Sequence, residues 1–154
     1  MDYKTWVDLF GKSKDDAHVR KAVVDAGITK SLKIGRDELS VSADIKGKGM
    51  TITFTDESIL RPDTGGLLGR PILSSVLMIL QHPDKANLYK GPLPHQLDKN
   101  DSQAVVRKKF GVPMKSNDER RWDAWIIDGA RVTITYAKDL LSVNRVSLAL
   151  PDSH

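Results

Sequence analysis

Apolar residues recur with helical spacing in three segments of the chain. The first segment has them at i, i+3, i+4 and i+7, which predicts an amphipathic helix that ends at Gly11; they are Tyr3, Trp6, Val7 and Phe10. In the second segment, Asp15 or Asp16 can cap a helix that ends at Gly27, with Val19, Ala22, Val23 and Ala26 on one face. The third begins at Asp101 or Ser102, turns Val106 and Phe110 inward, and ends at Gly111.

Alternating apolar and polar residues predict two β-hairpins. If Lys46-Gly47 is a two-residue turn, Val41 faces Ile52 and Ala43 faces Met50. The Asp128-Gly129 pair is a stronger type I′ turn signal, and it pairs residues as Trp125 with Val132, Asp123 with Ile134 and Arg121 with Tyr136. Two further apolar runs predict a third strand after each hairpin; their inward residues are Val76, Met78 and Leu80, then Val146, Leu148 and Leu150.

The two halves of the chain resemble each other. Residues 51–54 read TITF and residues 133–136 read TITY, and each copy follows a helix, a glycine and a hairpin. Self-similarity of this kind predicts a duplicated unit, with repeat 1 at about 12–84, a linker at about 85–100 and repeat 2 at about 101–152. We therefore predict an α+β fold and a single domain over 1–154, in which two tandem helix-plus-antiparallel-strand repeats form one sheet with the helices packed on one face.

The sheet face away from the helices is predicted to carry Thr and Ser together with several apolar and charged side chains. Exposed apolar residues ringed by polar ones are typical of interaction sites, and aromatic and Arg residues are common energetic anchors. We predict a partner-binding surface made of Trp122, Ile126, Arg131, Thr133, Arg145, Leu77, Ile79 and Asp44. The alternative is that the third strand is covered on both sides by the linker or by the glycine-rich loop. Trp6 and Trp125 are predicted to lie in the core.

Composition narrows the function classes. The chain has 154 residues, 40% hydrophobic and 29% charged, as expected of an ordinary globular protein. The absence of cysteine excludes disulfides, thiolate metal sites and cysteine nucleophiles. Neither a secretory signal nor a run of ~18 apolar residues is seen, so we expect a cytoplasmic protein and no membrane partner.

Motifs for catalysis are missing from the sequence. His18, His82, His95 and His154 are isolated from one another, and the glycines at 65, 66 and 69 fit no phosphate-binding pattern. Asp123 is turned toward the apolar side by the hairpin register, and we expect capping or backbone hydrogen bonds near a strand end to satisfy it. We predict no enzyme activity, no cofactor and no metal.

Two stretches of sequence carry a resemblance to known families. The segment VVRKKFGVP, followed by RRWDAWIIDGARVTITY, is similar to the helix, Gly-x-Pro and hairpin pattern of beta-lactamase inhibitory protein and of the small lipoprotein of the outer-membrane barrel assembly machine. The stretch YKGPLPHQL with DSQAVVRKKFGVP resembles segments of bacterial immunity proteins of contact-dependent inhibition, type VI secretion or bacteriocin systems. The resemblance implies a binding protein that neutralises a cognate toxin through the open side of its sheet.

Charge leaves two alternatives open. The net charge of +4 and pI of about 9.3 favour a partner with an acidic or neutral surface. The first alternative is a nucleic-acid-binding module that uses short basic clusters, namely Arg107, Lys108, Lys109, Arg120 and Arg121. We expect these clusters to be solvated, and a protein partner rather than nucleic acid. The second alternative is a small enzyme with an unrecognised site.

Overall fold

The computed structural model describes residues 1–152 as an α+β fold built on one sheet. The helices are α1 (Lys4–Val7), α2 (Ala17–Asp25), α3 (Glu57–Leu60) and α4 (Gln103–Phe110). The strands are β1 (Ser40–Ile45), β2 (Met50–Asp56), β3 (Pro71–Ile79), β4 (Lys115–Asn117), β5 (Trp122–Ile127), β6 (Ala130–Tyr136) and β7 (Val143–Ala149).

The seven strands form one antiparallel sheet in the order β1-β2-β3-β7-β6-β5-β4. The strands of each half are neighbours, and the two halves join where β3 pairs with β7. The two TIT segments lie on β2 and β6. The predicted α+β class and antiparallel sheet are therefore confirmed. The duplication, the packing of all helices on one face and the domain boundaries stay predictions.

The second hairpin has the predicted register and the first does not. Trp125 pairs with Val132 across β5 and β6, and Asp128 and Gly129 both have the positive φ that a type I′ turn requires, 53° and 79°. In the first hairpin Ile45 pairs with Met50, so four residues form the turn and the predicted register is wrong by two positions. Because side chains alternate with a period of two, this shift leaves every residue on its predicted face.

One face of the sheet contributes most of a single buried core. Its side chains come from every long strand and include Val41, Ala43, Ile52, Phe54, Val76, Met78, Val132, Ile134, Val146 and Leu148. Helix residues Trp6, Val19, Ala22 and Val106 belong to the same cluster. Trp6 and Trp125 are buried, as predicted.

The helix ends follow the sequence signals closely. Asp16 caps α2 by accepting hydrogen bonds from the backbone N–H groups of His18 and Val19. Ser102 caps α4 through the N–H of Val105, and Gly111 follows that helix with a φ of 87°. Helix α1 is shorter than predicted, since the chain turns after Val7 instead of continuing to Phe10.

The segment predicted as a linker, 85–100, is packed against the sheet. It forms two short 3-10 turns, and between them Tyr89 enters the core, while Leu97 enters it just after the second turn. The Tyr89 N–H donates to the carbonyl of Ile79 at 2.8 Å, at the end of β3. A Cβ at Gly49 would lie 2.0 Å from the Tyr89 nitrogen, so this close approach requires glycine.

Two acidic residues organise the glycine-rich loop 61–70. Burial raises the pKa of Asp56, but hydrogen bonds from the Ser58 hydroxyl and from the N–H groups of Gly69 and Ser58 outweigh burial and bring this pKa below its usual value. Glu57 is buried, accepts from the Leu67 N–H at 2.8 Å and pairs with Arg61 at 3.4 Å. No helix within residues 1–152 is both long and apolar enough to cross a membrane.

Candidate partner-binding surface

The face of the sheet opposite the core presents three parallel rows of side chains. We call these rows together the open face. The central row crosses all seven strands and comprises Lys115, Ala124, Thr133, Ser147, Leu77, Thr51 and Asp44. One flanking row comprises Asn117, Trp122, Thr135, Arg145 and Ile79. The other comprises Ile126, Arg131, Ala149, Ser75, Thr53 and Ser42.

All eight residues predicted to bind a partner lie on the open face. Trp122, Arg145 and Ile79 share one row, Thr133, Leu77 and Asp44 the central row, and Ile126 and Arg131 the third. The structure thus brings together residues that are up to 101 positions apart in the chain, from Asp44 to Arg145.

Apolar side chains on the open face remain accessible to solvent. Ile126 is 45% exposed, and Trp122, Leu77 and Ile79 are half-buried among Thr and Ser neighbours. A half-buried tryptophan already has part of its surface packed, so a partner can cover the rest at little cost in side-chain entropy.

The size of the open face can be estimated from strand geometry. Six inter-strand gaps of about 4.8 Å span roughly 29 Å, and three rows of residues extend roughly 20 Å along the strands. The product, roughly 600 Å², approaches the roughly 800 Å² that each partner contributes to a stable interface. A protein that covers this face would therefore also contact the turns at the strand ends.

Charges on the open face are segregated between the two halves of the sheet. Lys115, Arg131 and Arg145 lie on β4, β6 and β7, whereas Asp44 lies on β1. Among the strand residues of the three rows, Asp44 is the one acidic side chain. The β4 to β7 half therefore favours an acidic partner surface.

A depression of about 410 Å³ lies at the β1 end of the open face, and we call it the corner pocket. Its lining includes Asp44, Thr51 and Ile79, together with Lys46, His82 and Asn87 from the adjoining turns. The Thr51 hydroxyl donates to Asp44 Oδ1 at 2.7 Å, which orients the carboxylate. The sequence indicated Asp44 and Ile79 but not the pocket, because the path of the chain after β3, which brings His82 and Asn87 to it, was not predicted.

On the core side of the sheet, sequence reasoning missed a buried polar network. Asp123 is 0% exposed and accepts hydrogen bonds from Arg107 Nε at 2.9 Å, Arg107 Nη2 at 2.8 Å and the Tyr136 hydroxyl at 2.9 Å. Gln103 Nε2 donates at 3.4 Å. The expectation of backbone or capping partners for Asp123 is therefore wrong, since side chains of α4 and β6 satisfy it.

The network sets the protonation of its members. Burial alone raises the pKa of Asp123, but the hydrogen bonds from Arg107 and Tyr136 outweigh it and lower the pKa below the usual value. Burial, with the hydrogen bond to Asp123, raises the pKa of Tyr136 far above its usual value. Asp123 is thus an anion and Tyr136 a neutral donor. The network joins α4 to the sheet, and neither side chain is poised to exchange a proton near neutral pH.

The basic clusters do not form a continuous surface. Arg107 is committed to Asp123, and Lys109 pairs with Asp101 at 2.6 Å, while Lys108 and Arg120 are exposed. Arg121 is half-buried and has a positive φ of 59°. The Arg107 side chain is 39% exposed, but its guanidinium is paired with Asp123, so an electrostatic track for nucleic acid loses two of its five cations to ion pairs.

The predicted absence of metal and catalytic motifs remains a prediction. Across residues 1–152, no group of three or more His, Asp or Glu side chains is arranged to hold a metal ion. His154 lies outside the described residues.

Comparison of the chain with protein-family models, with curated proteins and with solved structures finds no match. The resemblance to inhibitory and immunity proteins therefore stays a prediction. The open face is therefore a broad, accessible sheet face with four large apolar side chains, segregated charge and one corner pocket.

Proposed function

We propose that this chain is a binding protein that docks a partner protein on the open face of its sheet. The observation that carries the proposal is the placement of Trp122, Ile126, Leu77 and Ile79 together on one accessible face, ringed by Thr and Ser. Tryptophan is one of the residue types most enriched among binding hot spots. Covering this face would remove apolar surface from water and bury few charges.

In its finer form, the proposal is that the protein is an immunity protein that neutralises a cognate bacterial toxin in the cytoplasm. Inhibition by occlusion requires shape and charge complementarity and no catalytic group, which suits the open face. The proposal also holds that the two halves of the chain arose by duplication. It further holds that the helices cover only the core side of the sheet. It assigns the protein no enzymatic activity.

The proposal is tested by protection from toxicity. If the proposal is right, a neighbouring gene encodes the cognate toxin, and its toxic domain is expressed from an inducible promoter in cells that also produce the wild-type chain, Trp122→Ala or Val24→Ala. Val24 is 73% exposed on α2 and serves as the matched control. We expect protection by the wild type and Val24→Ala and its loss with Trp122→Ala at equal protein levels.

Two results would contradict the proposal. The immunity role fails if the wild-type chain gives no protection against that toxic domain. The open face is the wrong surface if a Trp122→Ala, Ile126→Ala double variant protects as fully as the wild type.

A further inference from the structure

The corner pocket combines an apolar side chain and a carboxylate at one end of the open face. Ile79 is half-buried and Asp44 is exposed, and both line the 410 Å³ depression. The carboxylate is held through one oxygen, Oδ1, by the Thr51 hydroxyl at 2.7 Å. This bond orients the carboxylate, and its oxygens keep lone pairs that can accept further hydrogen bonds.

The charge of Asp44 is not cancelled by the basic half of the open face. Arg145 lies three strands away, and Arg131 lies four strands away in the order of the sheet. At about 4.8 Å per strand these separations exceed about 14 Å, which is beyond the screening length of about 8 Å at physiological salt. Lys46 lines the same pocket and supplies an opposing charge there, and Lys30 reaches the same edge strand, where its Nζ donates to the Ser42 carbonyl at 2.6 Å.

We propose that the corner pocket receives an arginine side chain of the partner protein, and this inference rests on the proposed function. The aliphatic stem of the arginine packs on Ile79, and its guanidinium donates to Asp44. A guanidinium fits better than an ammonium ion, because it is more weakly hydrated and its planar fork can reach the Asp44 carboxylate and the Thr51 hydroxyl oxygen together. A cation is also repelled by the β4 to β7 half, so the pocket fixes the orientation of the partner.

The inference can be tested without the partner. The probe is Nα-acetyl-arginine amide, titrated into the isotope-labelled full chain while backbone amide NMR shifts are recorded. Its citrulline counterpart has the same shape without the charge. We expect saturable shifts at Asp44, Thr51 and Ile79, and about fivefold weaker binding of the citrulline probe.

Variants of the pocket residues give opposite expected effects. Asp44→Asn keeps the acceptor for Thr51 and should weaken binding of the arginine probe about fivefold. Lys46→Gln removes the opposing charge and should strengthen binding about twofold. Asp128→Asn, an exposed aspartate in the turn between β5 and β6, is the matched control and should leave the affinity unchanged.

Three results would overturn the inference: no saturable shifts at the pocket, equal binding of the citrulline probe, or unchanged binding by Asp44→Asn. Failure here is separate from failure of the proposed function. If the probe does not bind while Trp122→Ala abolishes protection, the pocket inference fails and the open face stands. If the probe binds while the Trp122→Ala, Ile126→Ala variant still protects, the pocket binds guanidinium and the proposed function fails.

Discussion

Asp123→Asn perturbs the buried network that joins α4 to the sheet. The substitution keeps the shape of the side chain but removes the charge and replaces one acceptor oxygen by an NH₂ donor. The amide can still accept from Arg107 Nη2, whereas its NH₂ group meets the Arg107 Nε–H and the Tyr136 hydroxyl, which both donate to Oδ2 in the wild type. The Arg107 Nε–H and the Gln103 amide then lose their acceptor, whereas the Tyr136 hydroxyl can rotate to accept from the new NH₂ group.

The cost can be estimated from the bonds that are lost. A hydrogen bond to a charged group contributes about 1.5–3 kcal/mol, and breaking a fully buried ion pair costs about 3–5 kcal/mol. The Arg107 side chain is 39% exposed, so its freed guanidinium regains water and the full penalty is not reached. We expect Asp123→Asn to lower the free energy of unfolding by about 3 kcal/mol, and Tyr136→Phe to lower it by about 1 kcal/mol.

The pH dependence of stability provides an independent test of the same network. Because the pKa of Asp123 is lower in the folded state than in the unfolded chain, its contribution is complete above about pH 4 and is lost as the pH falls below that value. Because the pKa of Tyr136 is raised in the folded state, its contribution is complete below about pH 10 and is lost at higher pH. Asp123→Asn should flatten the acid limb, and Tyr136→Phe should flatten the alkaline limb.

Urea unfolding followed by tryptophan fluorescence measures these effects. With a slope of about 2 kcal/mol per molar urea, a loss of 3 kcal/mol moves the midpoint down by about 1.5 M. Asp128→Asn is the exposed control and should change stability by less than about 0.5 kcal/mol. A midpoint shift for Asp123→Asn below about 0.5 M, or an unchanged acid limb, would refute the reasoning.

Two further predictions concern the backbone and the loop. Gly49→Ala should lower the free energy of unfolding in urea by about 3 kcal/mol, because its Cβ would lie 2.0 Å from the backbone nitrogen of Tyr89. Gly47→Ala is the control: a Cβ there meets nothing within 4 Å, so only its positive φ should cost about 1 kcal/mol. Equal losses for the two variants would argue against the close approach at Gly49. Glu57→Gln should speed cleavage of the 61–70 loop by thermolysin at the exposed Leu67 and Leu68 and should cost about 1–2 kcal/mol, while the exposed Glu119→Gln should do neither. An unchanged cleavage rate would show that Glu57 does not anchor the loop.

The sheet was predictable because its signals are local. The Asp-Gly pair at 128–129 strongly favours a two-residue type I′ turn, and a turn of that length fixes the register of β5 and β6. The Lys46–Gly49 segment has glycines at both 47 and 49, with φ of 76° and 64°, and a four-residue turn forms instead of the two-residue turn predicted. The faces of β1 and β2 were still correct, since a shift of two positions preserves side-chain alternation.

The parts that could not be predicted depend on contacts distant in sequence. The register turned Asp123 inward, but only the placement of α4 over β5 brings Arg107 within 2.8 Å of it. The 85–100 segment has the composition of a linker, yet Tyr89 and Leu97 are buried by packing on the sheet. The eight open-face residues needed only strand alternation, which explains why they could be assigned from sequence and the corner pocket could not.

The central claim, that the open face is the binding surface, is tested most directly by measuring affinity for the purified toxic domain. Trp122→Ala, Ile126→Ala and the α2 control Val24→Ala are compared with the wild type by calorimetry, with circular dichroism to verify folding. We expect Trp122→Ala to lose about 2 kcal/mol or more, roughly thirtyfold in affinity, Ile126→Ala to lose less, and Val24→Ala to bind as the wild type does. A folded Trp122→Ala protein that binds with wild-type affinity would contradict the account.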